Sequence, residues 1–245
     1  MTTLPPTIVQ ARFDLRLVIR NGEQFLLTLA IPVLLLIGLT LTTVVSLGQG
    51  PDVPRVSAAL AGILAVAVLS SAFASLAISV GFDRRSGSLE FLATTPLSRT
   101  DVLVARSLAA VAVVGYQVAA LLIVARILGW HPEGIPGVIA FAALGGFSLG
   151  AWGFALGGWV RAEATLAIAN GLFILLVLAG GTALPVSSLP GPLAAIVSWL
   201  PTAALGDAFR AVLGVASGSL ARDALVLAAW ALAGAVVAAR TFRWY

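Results

Sequence analysis

The sequence predicts an all-α integral membrane protein with six transmembrane helices, forming a single transmembrane domain over residues 1–245. Three observations predict this class. The chain is 60% hydrophobic and only 10% charged, whereas soluble domains are about a quarter charged. Apolar runs of about 20 residues recur, each long enough to cross a hydrocarbon core of roughly 30 Å. None of these runs alternates apolar and polar residues with the period of two that a membrane barrel needs. Helices are then the remaining way to satisfy the backbone inside lipid.

The elements follow in chain order. Residues 1–6, with Pro5 and Pro6, are expected to be disordered. Over residues 7–22, Arg12, Arg16 and Arg20 recur every four residues and share one helical stripe, beside an apolar stripe of Val9, Phe13 and Leu17. This pattern predicts an N-terminal amphipathic interfacial helix with its arginines toward lipid phosphates. A solvated, charged helix start is the competing reading. Span 1 covers about residues 25–47, with Pro32 in its first two turns, where a missing N–H is tolerated. Gly48-Gln49-Gly50-Pro51-Asp52 is a turn cluster. Span 2 covers about 56–82, with its helix projecting to Arg85.

A polar island, residues 82–101, separates spans 2 and 3. It carries its own helix signals, so it is expected to be shaped rather than slack and to dock something soluble. Gly87 fits the left-handed position after a helix. Ser88 fits an N-cap, and Glu90 in the first turn faces the positive end of the helix dipole. The short helix 89–95 has Leu89, Leu92 and Ala93 on one side, and Pro96 stops it. Ser98 and Asp101 have capping-box spacing and open span 3, about 102–127.

His131-Pro132-Glu133-Gly134 is the next turn. Span 4, about 136–159, carries Gly146, Gly150, Gly153 and Gly157 on one face. Such a stripe lets helices approach closely, within one subunit or between two. Arg161-Ala162-Glu163 is a short polar loop before span 5, about 164–184. Pro185, Pro190, Pro192 and Pro201 divide the following stretch into helices 191–200 and 202–213, both too short to cross. They are therefore read as two half-helices that dip into the outer leaflet or lie on it, the second with Leu205, Phe209 and Val212 on one face. Span 6 covers about 220–240. The tail from Arg240 to Tyr245 is an arginine and aromatic anchor.

Arginine asymmetry sets the expected orientation. With the N-terminus inside, the inner side holds Arg12, Arg16, Arg20, Arg84, Arg85, Arg99, Arg106, Arg161, Arg240 and Arg243; the outer side holds Arg55, Arg126, Arg210 and Arg222. Ten against four places both termini and the polar island in the cytoplasm. A cleavable signal peptide is not expected, because span 1 begins late and is long.

Several functions are excluded or disfavoured by residue type. All fourteen basic residues are arginines, and the chain has no cysteine and one histidine, His131. Without lysine there is no P-loop and no Schiff-base chemistry. A metal site is not expected, and His131 reads as a surface turn residue. Ser70, Ser71 and Ser75 lack an activating base and are expected to pack or hydrogen-bond in the bundle. Gln117 and Asn170 read as helix–helix hydrogen bonds rather than ligand contacts. Arg106 and Arg126 lie near span ends, where they can snorkel. Asp207–Arg210 and Arg222–Asp223 read as surface pairs of little value. The arginines form no groove-reading element, so nucleic acid is not an expected partner.

The block Phe82-Asp83-Arg84-Arg85-Ser86-Gly87-Ser88-Leu89-Glu90-Phe91-Leu92-Ala93-Thr94-Thr95-Pro96-Leu97-Ser98-Arg99 resembles the signature of type 2 ABC exporter permeases, multidrug- or antibiotic-exporter-like. A second stretch, Trp199-Leu200-Pro201 through Leu205 to Arg210, resembles the family's segment before the last span. The resemblance implies that residues 88–95 form a coupling helix seated in a groove of a separate nucleotide-binding ATPase. It implies ATPase contact by Arg84, Arg85, Gly87, Ser88, Leu89, Glu90, Phe91, Leu92, Thr94, Thr95 and Pro96. Arg12, Phe13, Arg16, Leu17 and Arg20 would lie on the interfacial helix, and residues 189–213 would form extracellular re-entrant half-helices. A second permease subunit is implied, identical or related, packed largely through the first and fifth spans. No cofactor is expected in this chain; ATP and magnesium belong to the partner. The expected function is outward transport of a small amphiphilic or hydrophobic, drug- or antibiotic-like substrate across a bacterial plasma membrane. A self-sufficient channel or ion-coupled carrier, a membrane-embedded enzyme, and a permease for lipid, polysaccharide or haem are the alternatives.

Overall fold

The computed structural model describes residues 5–20, 22–42, 47, 50, 52–95, 97–182, 185–186 and 189–241. Among them there is no strand. Helix α1 (Pro6–Arg20) is followed by α2 (Gly22–Leu41), then by α3 (Arg55–Val68), a π-helical segment (Leu69–Ser75) and α4 (Leu76–Arg85) in continuous succession. The short α5 (Ser88–Ala93) precedes α6 (Arg99–Ile127), α7 (Ile135–Trp159) and α8 (Ala162–Ala179). Two further short helices, α9 (Gly191–Val197) and α10 (Pro201–Val212), lead to α11 (Leu220–Thr241).

Five of these runs are long and apolar enough to cross a membrane: Arg55–Arg85, Thr100–Ile127, Ile135–Trp159, Ala162–Ala179 and Leu220–Thr241. The fold is thus an all-α, multi-pass membrane bundle. α2 spans 20 residues, roughly 30 Å at the helical rise, and its apolar described stretch is Thr28–Leu41.

Residues 43–46 of the expected first span, 25–47, lie outside the described residues. The helix stops at Leu41, where Thr42 donates its hydroxyl back to the Gly38 carbonyl at 2.8 Å. Span 5 ends early, at Ala179 rather than 184. Gly181 turns the chain at a φ of 76°. The Thr182 hydroxyl donates to the Leu176 and Val177 carbonyls at 3.0 and 3.3 Å, closing the last turn.

The 31-residue helix Arg55–Arg85 is the central post, and 72% of its apolar window is buried. α7 packs against α4, α6, α10, α11 and the π-helical segment. That contact explains the glycine stripe. A Cβ at Gly153 would lie 2.6 Å from the Phe73 carbonyl oxygen, and one at Gly157 would lie 2.4 Å from that of Ala77. The stripe therefore packs within the chain. The π-helical segment contains neither proline nor glycine. Its Ala72 and Phe73 carbonyls are the atoms that face Gly153.

α9 and α10 meet at 92°. α9 is largely exposed, as Ile196 at 70% shows, but Leu205, Ala208 and Phe209 on α10 are fully buried. α10 packs on α3, α7 and α11. It is thus a helix of the bundle, rather than one lying on its surface. The reason is its composition: small Ala203, Ala204, Gly206 and Ala208 let neighbours close on every side.

Candidate functional site

Two features occupy one end of the bundle, and both are built from charged or polar residues at the ends of apolar helices. The first is α5. Arg84 at the end of α4 does not point outward; its guanidinium donates to the Gly158 and Val160 carbonyls at 2.6 and 2.7 Å. It thereby closes the C-terminus of α7, where a cation also complements the helix dipole. Arg85 pairs with Glu163, with both side chains more than half exposed, an arrangement of little energetic value.

Gly87 reverses the chain at a φ of 77° and itself holds the N-cap position of α5. Ser88, expected there, is instead the first helical residue, and its Oγ lies 2.8 Å from the Ser86 Oγ. The left-handed turn needs glycine, so the cap falls one residue earlier than the serine suggests. Leu89 is fully buried in a cluster with Leu76, Val80, Val102 and Phe154. Leu92 and Leu97 pack on its edge. Ser88, Glu90 and Thr94 are exposed, and Phe91 is 73% exposed. The helix ends at Ala93, short of the expected Thr95, because the Thr94 and Thr95 hydroxyls donate to the Phe91 and Leu92 carbonyls. Pro96, Arg243, Trp244 and Tyr245 lie outside the described residues. The expected capping box is present at Ser98 and Asp101.

The second feature lies under α1. Arg12, Phe13, Arg16, Leu17 and Arg20 are all exposed, so the arginine stripe faces away from the bundle. The inward residue is Asp14, which the sequence reading passed over. Its Oδ2 lies 3.3 Å from Arg106 Nε, and Gln10 donates to its Oδ1 at 2.9 Å. Arg106 Nη2 meets Asp83 at 2.7 Å. Arg106, expected to snorkel, is therefore held inside a three-helix ion cluster with its side chain 12% exposed. α1 closes over it, anchored also by the Thr7 hydroxyl donating to Asp101 at 2.9 Å. Burial pushes the Asp14 carboxyl up from its ordinary value, and the Arg106 guanidinium opposes that shift. The signal available in the sequence was a lone acid in an arginine-rich helix.

Beside this cluster is a cavity of about 590 Å³, between α1, α2, the π-helical segment, α4 and α6. Asp14, Asp83 and Arg106 stand at its charged end, and Ser71, Ser75 and Tyr116 also line it. Ser71 donates to Gln117 Oε1 at 2.8 Å, and Gln117 donates to the Thr28 carbonyl at 2.8 Å. Gln117 is thus the helix–helix hydrogen bond its sequence position suggested. Asn170, read the same way, is exposed on α8 instead.

The opposite end carries two further corrections. Arg210 is buried, not a surface residue. It donates to the Gly181 and Thr182 carbonyls at 3.0 and 2.8 Å and to Asp207 at 3.1 Å, fastening α10 to the end of α8. The expected surface pair of Arg222 and Asp223 does not describe either residue. Arg222 donates to the Ser198 carbonyl and stands over the Trp199 ring at 5.3 Å, while Asp223 is buried. His131 is exposed at its turn. Among the described residues no group of His, Cys, Asp or Glu could hold a metal ion.

The described residues form a multi-pass helical bundle with a short anchored helix at its charged end. The family model for ABC-2 family transporter protein matches residues 49–240, and the chain belongs to that family. It is a membrane permease of an ATP-binding-cassette transporter, which implies an ATPase partner. The matched stretch includes α5, the glycine stripe and α10, and starts after α1 and α2. No curated protein matches the chain.

Proposed function

We propose that this permease serves an exporter, moving a small amphiphilic or hydrophobic, drug- or antibiotic-like substrate outward with ATP hydrolysed, with magnesium, on a separate subunit. α5 is the coupling helix. The observation that carries this reading is its two-sidedness: Leu89 is fully buried while Phe91, two residues on, is 73% exposed. A large exposed aromatic beside Glu90, on a helix anchored by its other face, is what a rigid handle for a soluble partner requires. Arginine asymmetry supports placing α5 and both termini in the cytoplasm of a bacterial cell. Exposed Ile31 and Leu34 on α2, and Leu175 and Leu178 on α8, support a second permease subunit packed there, with lipid covering the rest.

The test replaces the outward residues and leaves the anchor. Phe91→Ala and Glu90→Arg, each co-expressed with the ATPase, should lower substrate-stimulated ATP hydrolysis at least tenfold while the permease still inserts. Unchanged stimulation in both variants would overturn the coupling assignment.

A further inference from the structure

The cavity under α1 has the size of a small-molecule site, about 590 Å³ against the range of roughly 300–1,000 Å³ usual for such pockets. Its two ends differ chemically. Leu17, Val18, Leu76 and Val113 supply apolar wall, while Asp14, Asp83 and Arg106 supply the charged end. Two carboxylates face one guanidinium there, a formal charge of −1 when all three are ionised.

The neighbouring arginines do not offset it. Arg84 is committed to the Gly158 and Val160 carbonyls, and Arg85 to Glu163. Arg12, Arg16 and Arg20 lie on the exposed side of α1. Asp14 Oδ2 and Arg106 Nε are both buried and face each other at 3.3 Å as an ion pair without hydrogen-bond geometry. Phe82 and Tyr116, also in the lining, offer aromatic surface of the kind that attracts cations. An incoming phosphate or carboxylate would meet two like charges; an ammonium would meet the opposite sign.

We propose that this cavity binds an amine-bearing amphiphile, its ammonium against Asp83 and Asp14 and its aliphatic body along the π-helical segment and α6. This binding site stands apart from the export reading above. The π-helical segment contributes directly. It places Ser71 and Ser75 in the lining beside the apolar wall, and π segments recur at functional sites.

The same headgroup chemistry exists in soluble amines and in aminophospholipids, so the test has two arms. The full-length permease is purified without its ATPase in neutral detergent, and dodecylamine, dodecanol and dodecanoate are titrated by calorimetry. Dodecylamine should bind saturably and at least tenfold more tightly than the other two. Asp83→Asn should weaken it about tenfold. Ser75→Phe, which fills the cavity without altering any charge, should abolish binding at an unchanged melting temperature. In the second arm, nanodiscs of phosphatidylcholine are compared with discs containing phosphatidylethanolamine. Weaker dodecylamine binding in the latter identifies the lipid as occupant; equal binding identifies a soluble amine. The proposal is overturned if dodecanol binds as well as dodecylamine, or if folded Ser75→Phe binds dodecylamine normally. Neither result would touch the coupling role of α5, which the ATPase assay reads independently.

Discussion

Gly157 and Gly150 share one stripe of α7, yet the structure assigns them opposite responses to the same substitution. A Cβ at Gly157 would lie 2.4 Å from the Ala77 carbonyl oxygen, 2.9 Å from the Val80 Cβ and 3.1 Å from the Gly81 nitrogen. Two of those three atoms are backbone, so no rotamer change relieves the clash and α7 and α4 must separate. Overpacking of this kind costs about 1–3 kcal/mol, set against a gain of up to about 1 kcal/mol in helix propensity. At Gly150 the nearest atom to an added Cβ is Leu76 Cδ2 at 3.7 Å, an ordinary contact. There the propensity gain is unopposed. Thermal unfolding of each variant, followed by tryptophan fluorescence in detergent, reads the difference. Gly157→Ala should lose about 1–2 kcal/mol, roughly 2–8 °C for a chain of this size, while Gly150→Ala should equal or exceed the parent. If Gly157→Ala melts at or above the parent temperature, the close approach of α7 to α4 described here is wrong.

Two other outcomes test the buried polar groups. Gln117→Leu removes both the Ser71 and the Thr28 hydrogen bonds and should destabilise by about 1–2 kcal/mol. A double-mutant cycle with Ser71→Ala should return a coupling of about 0.6 kcal/mol; zero coupling would show that the pair does not form. Asp14 supplies a pH test. Burial raises its native pKa above the ordinary 3.8, with Gln10 on α1, Asp83 on α4 and Arg106 on α6 facing it. The native state therefore holds the proton more tightly than the unfolded chain. The resulting stabilisation is complete below 3.8 and is lost as pH rises through the raised value. The melting temperature of the parent relative to Asp14→Asn should fall as pH rises from 3.5 toward 7; a rising difference would reverse the assignment.

Much of this architecture is written locally in the chain. Apolar length places the spans, because the bilayer imposes one thickness on each of them. Gly87 marks the turn before α5, because only glycine takes that backbone conformation readily. The Ser98–Asp101 capping box lies within four consecutive residues and needs no tertiary information. Leu89 and Phe91 fall on opposite sides of α5 by helical periodicity alone.

What the tertiary structure decided is which distant residues meet. Thr7 and Asp101, 94 residues apart, join α1 to the start of α6; Asp14 and Asp83 convert Arg106 from a snorkelling cation into a half-buried, ion-paired one. Arg210 changes from a surface residue to a fastening between α10 and α8 because it reaches the Gly181 and Thr182 carbonyls. The π-helical segment and the cavity beside it carry no local signature. The physical reason is common to all of these. Hydropathy and turn chemistry act within a few residues of chain. A charge is buried, or a helix widened, only by what another helix brings alongside it.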